Sequence, residues 1–273
     1  MKDLFKTKEY PELGLKVWKY TRKVFAKALW DADKMLVEYR GLVTDMEDNI
    51  VSYPFTKVFN LGERGTAVDA ERDVICPRKV NGFMATATWH KDELLVSTTG
   101  TLDSDFVGYA KEMLYLADIE GMCKAHPKKS FIFEIVHPKD PHIVPEELGA
   151  WLIGARDKYF GSDLIQETLL DILAWGQYKR PKVWKGKFKD LDLNVKHEGY
   201  MVRDALTGET LCKIKSKHYL FTKFWMRSPK AYRIAEVEEE YYDLVEVIRS
   251  LHTEDQWKAL DQQERRVFIE EYL

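Results

Sequence analysis

Cysteine is scarce in this 273-residue sequence: Cys76, Cys123 and Cys212 stand far apart, with no Cys-x-x-Cys pair. That spacing excludes a disulfide framework and a structural zinc site, and leaves three reduced thiols. No apolar run approaches the roughly 18 residues that a membrane helix requires, and the opening MKDLFKTKEYPELG has no apolar stretch of signal-peptide length. A cytoplasmic protein with no membrane partner is the expectation. Strong charge of one sign is also missing, since the formal net charge is only -3. A nucleic-acid partner would have to be held by a local basic surface, not by the overall field. There is no internal repeat and no low-complexity linker.

What the chain does have is an ordinary folded composition, with 45% hydrophobic, 32% charged and 13% aromatic residues. Its length permits one large or two modest domains with a sizeable core, and therefore an enzyme. A basic segment is present: Lys179, Arg180, Lys182, Lys185, Lys187 and Lys189, interrupted by Trp184 and Phe188. Lys213, Lys215, Lys217 and Lys223 follow. The first cluster reads either as a solvated loop or as a polyanion-binding surface.

Residues from about Leu13 to Met35 carry apolar positions at mixed three and four spacing, which predicts a helix. From Arg40 the pattern shifts to short alternating runs, RGLVTD, SYPFTKVFNLGE and GFMATATWHKDELLVSTTG, the last a hairpin turning near Lys91-Asp92. A helix is expected from Ser104 or Asp105 to a stop at Gly121, then an apolar strand SFIFEIV, then a long helical stretch over roughly Glu146 to Trp175. EGYMVRDA and TLCKIKSKHYLF read as a hairpin around Leu206-Thr207-Gly208-Glu209. Beyond about Ser228 the pattern is helical, with the acidic run Glu236 to Glu240 a solvated face. The whole reads as one α+β catalytic domain with helical decoration at both ends.

Several residues in this order invite chemistry. Lys79 sits in C-P-R-K-V-N-G-F-M, directly before a strand; alone, such a lysine is as well read as an exposed strand-start residue. Glu134 lies inside FIFEIV, where a buried carboxylate needs bonds or charge compensation. Glu198 opens the late hairpin, and period two puts Lys213 and Lys215 on one strand face, with either solvent or a polyanion between them. His137 and His142, in HPKDPH, lack the spacing of a metal site and read as a turn.

The ordered set K-x-N-G, F-E-I-V, E-G-Y-M-V and K-I-K resembles the nucleotidyltransferase motifs of covalent ligases and mRNA capping enzymes. Lys57-Val58-Phe59-Asn60 with Gly62-Glu63, and Arg40-Gly41-Leu42-Val43 before it, are similar to segments of bacteriophage tRNA-repair RNA ligases and of the ligase domain of fungal tRNA ligases. The match spans roughly Arg40 to Lys223. Asn81 departs from the aspartate of K-x-D-G, although the fungal enzymes resemble this chain there.

The resemblance implies a nucleotidyltransferase (adenylyltransferase) domain of antiparallel sheets with flanking helices over 1–227, and a short helical C-terminal appendage over 228–273. It implies an ATP-dependent RNA ligase that uses ATP and Mg²⁺, with Mn²⁺ possible, and that acts as a monomer, in the host-cell cytoplasm if phage-encoded. Lys79 would attack the α-phosphate, Glu134 bond the ribose, Glu198 bind the metal, and Lys213 and Lys215 contact the phosphates. Arg40 and Lys57 would engage the triphosphate, and Arg78, Asn81, Gly82 and Val202 would complete the nucleotide site. Single-stranded RNA ends or a cleaved tRNA loop would be the partner, with Tyr178, Trp184 and Phe188 either stacking on bases or packing a loop. Lys213, Lys215 and a bound Mg²⁺ near Lys79 would disfavour its charged form, lower its pKa and so free its nucleophilic amine. A GTP-using capping-type enzyme and a non-catalytic RNA-binding module are the alternatives; the full set of expected lysines and carboxylates weighs against the second.

Overall fold

The computed structural model describes residues 3–140, 142–174, 178–227, 232 and 242–272. The chain starts with β1 (Phe5–Tyr10) and β2 (Leu15–Tyr20), continues through a short α1 (Arg22–Ala26), and returns as β3 (Arg40–Asp45) and β4 (Ile50–Ser52). The helix expected from Leu13 to Met35 is therefore largely absent. Gly14 turns the chain at φ +65 and Leu15 and Val17 are buried on one face, so the period that matters here is two. Mixed spacing does not distinguish the two periods, and pairing of β2 with β1 and β3 favours the strand.

β5 (Asp73–Pro77) leads through the Lys79 loop into β6 (Phe83–His90), whose hairpin with β7 (Glu93–Thr98) turns at Lys91 and Asp92, both with positive φ. α2 (Asp105–Leu116) and α3 (Ile119–Ala125) follow. The break between them falls at Asp118 (φ 50), and Gly121, the expected stop, lies inside α3. Asp118 adopts the left-handed conformation that a short polar side chain tolerates.

β8 (Lys129–Val136) pairs with β9 (Gly149–Asp157), so the stretch expected to be helical from Glu146 is a strand, and helix is confined to α4 (Glu167–Ala174). An apolar edge of β8 was open to pairing, which no local pattern announces; Trp175 lies outside the described residues. The expected basic loop is β10 (Val183–Lys187), paired with β5. β11 (Gly199–Asp204) and β12 (Thr210–Lys215) form the predicted late hairpin. α5 (Lys217–Arg227), α6 (Tyr242–Leu251), α7 (Glu254–Ala259) and α8 (Gln262–Tyr272) close the chain. The run Glu236 to Glu240 lies outside the described residues.

Among the described residues three antiparallel four-stranded sheets result, ordered β1-β2-β3-β4, β10-β5-β11-β12 and β7-β6-β8-β9. The largest core lies between the third sheet and α2, α3 and α4, around Phe131, Phe133, Leu114 and Leu170. A second core joins Ile143 and Val144 to Trp225, Leu244, Val245, Ile248, Trp257 and Ile269, so the C-terminal helices pack on the loop between β8 and β9. The three cysteines are buried and unpaired, as expected. Among the described residues no helix is long and apolar enough to cross a membrane.

Candidate active site

A cleft of about 300 Å³ opens where the second and third sheets meet, and its walls include Arg40, Lys79, Gly82, Glu134 and Lys213. These come from β3, the β5–β6 loop, β8 and β12, so segments far apart in the chain share one space. The backbone explains the convergence. Lys79 N donates to Gly199 O (2.8 Å), and Arg78 forms a bridge with Tyr200, which pins the lysine loop to the start of β11. Asn60 bridges Lys213, whose amide bonds Phe59 O (3.0 Å), and this docks the Lys57–Asn60 segment along β12.

Lys79 Nζ donates to Glu198 Oε2 at 3.1 Å, and Lys215 Nζ lies 3.5 Å from Glu198 Oε1. Glu198 is 3% exposed, so its carboxylate is bound by two ammonium groups in a nearly dry setting. Asn81 Nδ2 also donates to Glu198 Oε2 (3.1 Å), while Asn81 Oδ1 accepts from Ile143 N and Val144 N at 2.8 and 3.1 Å. Asn81 therefore ties the lysine loop to the core of the C-terminal helices. Glu134, in mid-strand, is buried, and its Oε1 accepts from Gly82 N at 3.2 Å, which supplies the compensation its sequence context demanded.

Glycine at 82 is imposed by the neighbouring strand β8, because a Cβ there would lie 2.2 Å from Ile135 O. Gly199 is similar: at φ +135 its Cβ would meet Ile214 O at 2.0 Å.

Without a bound cation, the charges around Lys79 favour its charged form. Burial pulls its pKa down, but Glu134 and Glu198 outweigh burial and hold it above the ordinary lysine value, so it is an ammonium. The depressed lysine is Lys213, brought to about 7 by burial and by Lys57, Arg40, Lys79 and Lys215. Burial also lowers Lys215 and Lys57. Lys57 Nζ stands over the rings of Phe59, Trp30 and Phe25 at 4.6, 5.2 and 5.9 Å. Burial raises Glu134 despite Lys79.

Of the residues named from sequence, Val202 is misplaced. It is fully buried in the core of the second sheet beside Cys76 and Cys212, and alternation along β11 turns Met201 and Arg203 to the cleft instead. Arg78 lines the cleft and is ion-paired with Glu146, whose other oxygen accepts from Asn81 N at 3.2 Å. Glu146 was missed because it fell in a stretch read as helix. Tyr219 and Arg227, which border a second cavity of about 200 Å³ beside Lys79 and Glu198, were also missed; nothing in their local sequence marks them.

The aromatic candidates do not form a stacking platform. Tyr178 is buried with its hydroxyl on Asp118 O (3.2 Å), and Trp184 and Phe188 pack on the core of the second sheet. Arg180 is likewise structural, bound to Glu167 and Asp171. His137 stacks on Tyr109 at a turn, as expected, with Nδ1 accepting from Lys139 N.

No family model matches the chain, and no curated protein matches it. Solved structures do. An archaeal ATP-dependent RNA ligase superposes with a TM-score of 0.58 at 13% identity, over 97% of this chain and 72% of that one. A putative ATP-dependent DNA ligase from Aquifex aeolicus gives 0.58 at 12% identity, over 98% and 73%. The Naegleria gruberi RNA ligase with pyrophosphate gives 0.50 at 12% identity over 61% of this chain, and the match spans little more than half of that protein, 56%. At such identities the likeness is one of architecture: this chain shares its fold with the archaeal ATP-dependent RNA ligase and the putative ATP-dependent DNA ligase.

Proposed function

We propose that this chain is an ATP-dependent RNA ligase that seals a 5′-phosphate to a 3′-hydroxyl through lysyl-AMP, with Lys79 as the nucleophile. The observation that carries the reading is the position of Lys79 Nζ at the cleft, 3.1 Å from buried Glu198, with Arg40 and Lys213 in the cleft wall and Lys57 and Lys215 close behind. Five cations, Arg40, Lys57, Lys79, Lys213 and Lys215, gathered where burial and their mutual repulsion bring Lys213 to about 7, suit a polyphosphate ligand.

In the first step the Lys79 amine, once deprotonated, forms a bond to the α-phosphorus while the bond to pyrophosphate breaks and its electrons leave with that group. Arg40, Lys57, Lys213 and Lys215 align the phosphates and balance charge on the non-bridging oxygens. Glu134 takes the ribose hydroxyl, and Arg78, Asn81 and Gly82 hold the loop that presents Lys79. Glu198 would hold Mg²⁺, or Mn²⁺ in its place: one hard carboxylate beside a cavity of about 200 Å³ fits a cation that keeps several waters. Glu198, if engaged by such a cation, would favour the Lys79 ammonium less, and the added positive charge would ease loss of its proton. AMP then passes to the RNA 5′-phosphate, and the 3′-hydroxyl displaces it.

Single-stranded ends or a cleaved tRNA loop fit as substrate, a cytoplasmic location fits the buried, unpaired cysteines, and the enzyme would act as a monomer. Residues 1–227 would be the nucleotidyltransferase domain and 228–273 its helical appendage. The test is incubation with α-labelled ATP or GTP and Mg²⁺, followed by denaturing gel electrophoresis. ATP should label the protein and Lys79→Ala should remain unlabelled; labelling by GTP alone would indicate a capping-type enzyme. Ligation of 5′-phosphorylated single strands, a nicked duplex and a broken tRNA stem-loop then identifies the substrate.

A further inference from the structure

Two backbone amides decide which way the Asn81 side chain faces. Ile143 N and Val144 N donate to its Oδ1, so its Nδ2 is the end turned to Glu198, at 3.1 Å. Reversed, the amide would set its NH₂ group against two N–H donors and its carbonyl against a carboxylate. Asn81 is 8% exposed, which leaves little water to relieve either clash. The Glu198 oxygen that accepts from Asn81 also accepts from Lys79 Nζ. The placement of the two amides therefore reaches the nucleophile through Asn81 and Glu198.

Those amides belong to a segment that does not stiffen itself. Between Val136 and Gly149 the described residues form neither helix nor strand, so their placement depends on what they pack against. Ile143 and Val144 are each 1% exposed, in one core with Trp225 of α5, Ile248 of α6, Trp257 of α7 and Ile269 of α8. Just before them, Arg266 of α8 donates from Nη1 to His142 O at 3.2 Å, and its Nε lies 3.4 Å from Glu270 one turn further along the helix. Glu146, from the same segment, accepts from Asn81 N and pairs with Arg78. The lysine loop thus leans on a segment that itself rests on the C-terminal helices.

We propose that the C-terminal helices set the attack geometry of Lys79, with Arg266 the positioning residue that fixes His142 and hence the Ile143 and Val144 amides that orient Asn81. The proposal rests on the reading of Lys79 as the nucleophile. It gives the helical body a part in forming lysyl-AMP, in addition to any part in choosing RNA. Among the described residues none from α5 to α8 lines the cleft of about 300 Å³ assigned to the nucleotide. Loss of the link should therefore slow the chemical step and leave ATP binding as it is.

The test is single-turnover labelling of the full chain by α-labelled ATP and Mg²⁺ over a range of ATP concentrations, stopped by rapid quench. The plateau rate constant reports the attack, the half-saturating concentration reports ATP binding, and the amplitude reports the fraction of competent protein. Arg266→Met keeps the aliphatic stem and loses the donors. It should lower the plateau rate constant roughly tenfold to a hundredfold, the order expected when a reacting group is slightly misplaced, with half-saturation unchanged. Arg266→Lys keeps a donor and should recover most of the rate. In Asn81→Ala the path is already cut, so adding Arg266→Met should slow that protein no further. An unchanged plateau rate constant in Arg266→Met overturns the proposal, and so does a lower amplitude at an unchanged rate constant, the signature of a purely structural role. Independent losses that add in the double variant overturn it as well. If the unaltered protein forms no adduct, the nucleophile reading fails and takes this one with it, whereas an adduct formed equally fast by Arg266→Met sinks this one alone.

Discussion

Asn81 and Glu198 are joined by a hydrogen bond of 3.1 Å from an amide to a carboxylate that already accepts from Lys79. Only asparagine can do this while also accepting from Ile143 N and Val144 N. Asn81→Asp keeps the acceptor but sets a second carboxylate against Glu198 and close to Lys79. It should raise the Lys79 pKa further, because a nearby negative charge favours the ammonium. The pH profile of covalent labelling, which should climb toward alkaline pH in the unaltered protein, is expected to move further alkaline in the variant. An unchanged profile would show that Asn81 does not act on the Lys79–Glu198 pair.

Lys79→Ala should abolish adduct formation without unfolding the protein, read by gel labelling and circular dichroism. It removes a cation from between two buried carboxylates, and such a loss costs about 3–5 kcal/mol in a fully buried pair and less here, where the lysine is partly exposed. Glu134, already raised by burial, rises further without Lys79. A carboxylate whose folded pKa exceeds its unfolded value favours folding increasingly as pH falls. The melting deficit of the variant should therefore shrink between neutral pH and about pH 5.

Lys213→Met should stabilise the ligand-free protein and weaken ATP. Lys213 falls from the ordinary value of 10.5 to about 7 in the fold, so the unfolded chain binds the proton more strongly. Its destabilising contribution is absent above 10.5, grows as pH falls toward about 7, and is then constant. A bound polyphosphate restores the proton. Calorimetry in buffers of different ionisation enthalpy should thus detect proton uptake on ATP binding at about pH 8, and lose it in the variant.

Gly82→Ala should be far more damaging than Gly62→Ala. The first places a Cβ 2.2 Å from Ile135 O, which forces the lysine loop off β8; the second, at φ +80, meets nothing within 4 Å and bears only the cost of its backbone conformation. That cost is about 1–2 kcal/mol. Melting temperatures and labelling yields compare the two directly, and equal behaviour would remove the proposed packing of Gly82 on β8.

How far the sequence could be read varied with the range of the interactions involved. The late hairpin was legible because Leu206 to Glu209 is a local turn signal between two alternating runs, and the β6–β7 hairpin because Lys91-Asp92 interrupts one. The order of Lys79, Glu134, Glu198, Lys213 and Lys215 carried the resemblance that predicted one shared site. Leu13 to Met35 and the stretch after Glu146 were misread because strands there depend on partners distant in sequence, β3 and β8. Val202 was misassigned because alternation tells which residues share a face but not which face is the cleft.

By itself the sequence determined the residue types that can do the chemistry and the two-residue period that puts Lys213 and Lys215 side by side. Tertiary structure alone decided that Glu198 and Glu134 hold Lys79 protonated while the depressed amine is that of Lys213. It also decided that Arg203, and not Val202, lines the cleft. The reason is physical: side-chain periodicity is a property of the local backbone, whereas a pKa depends on burial and on charges within a few ångströms, supplied here by strands and loops remote from one another in the chain.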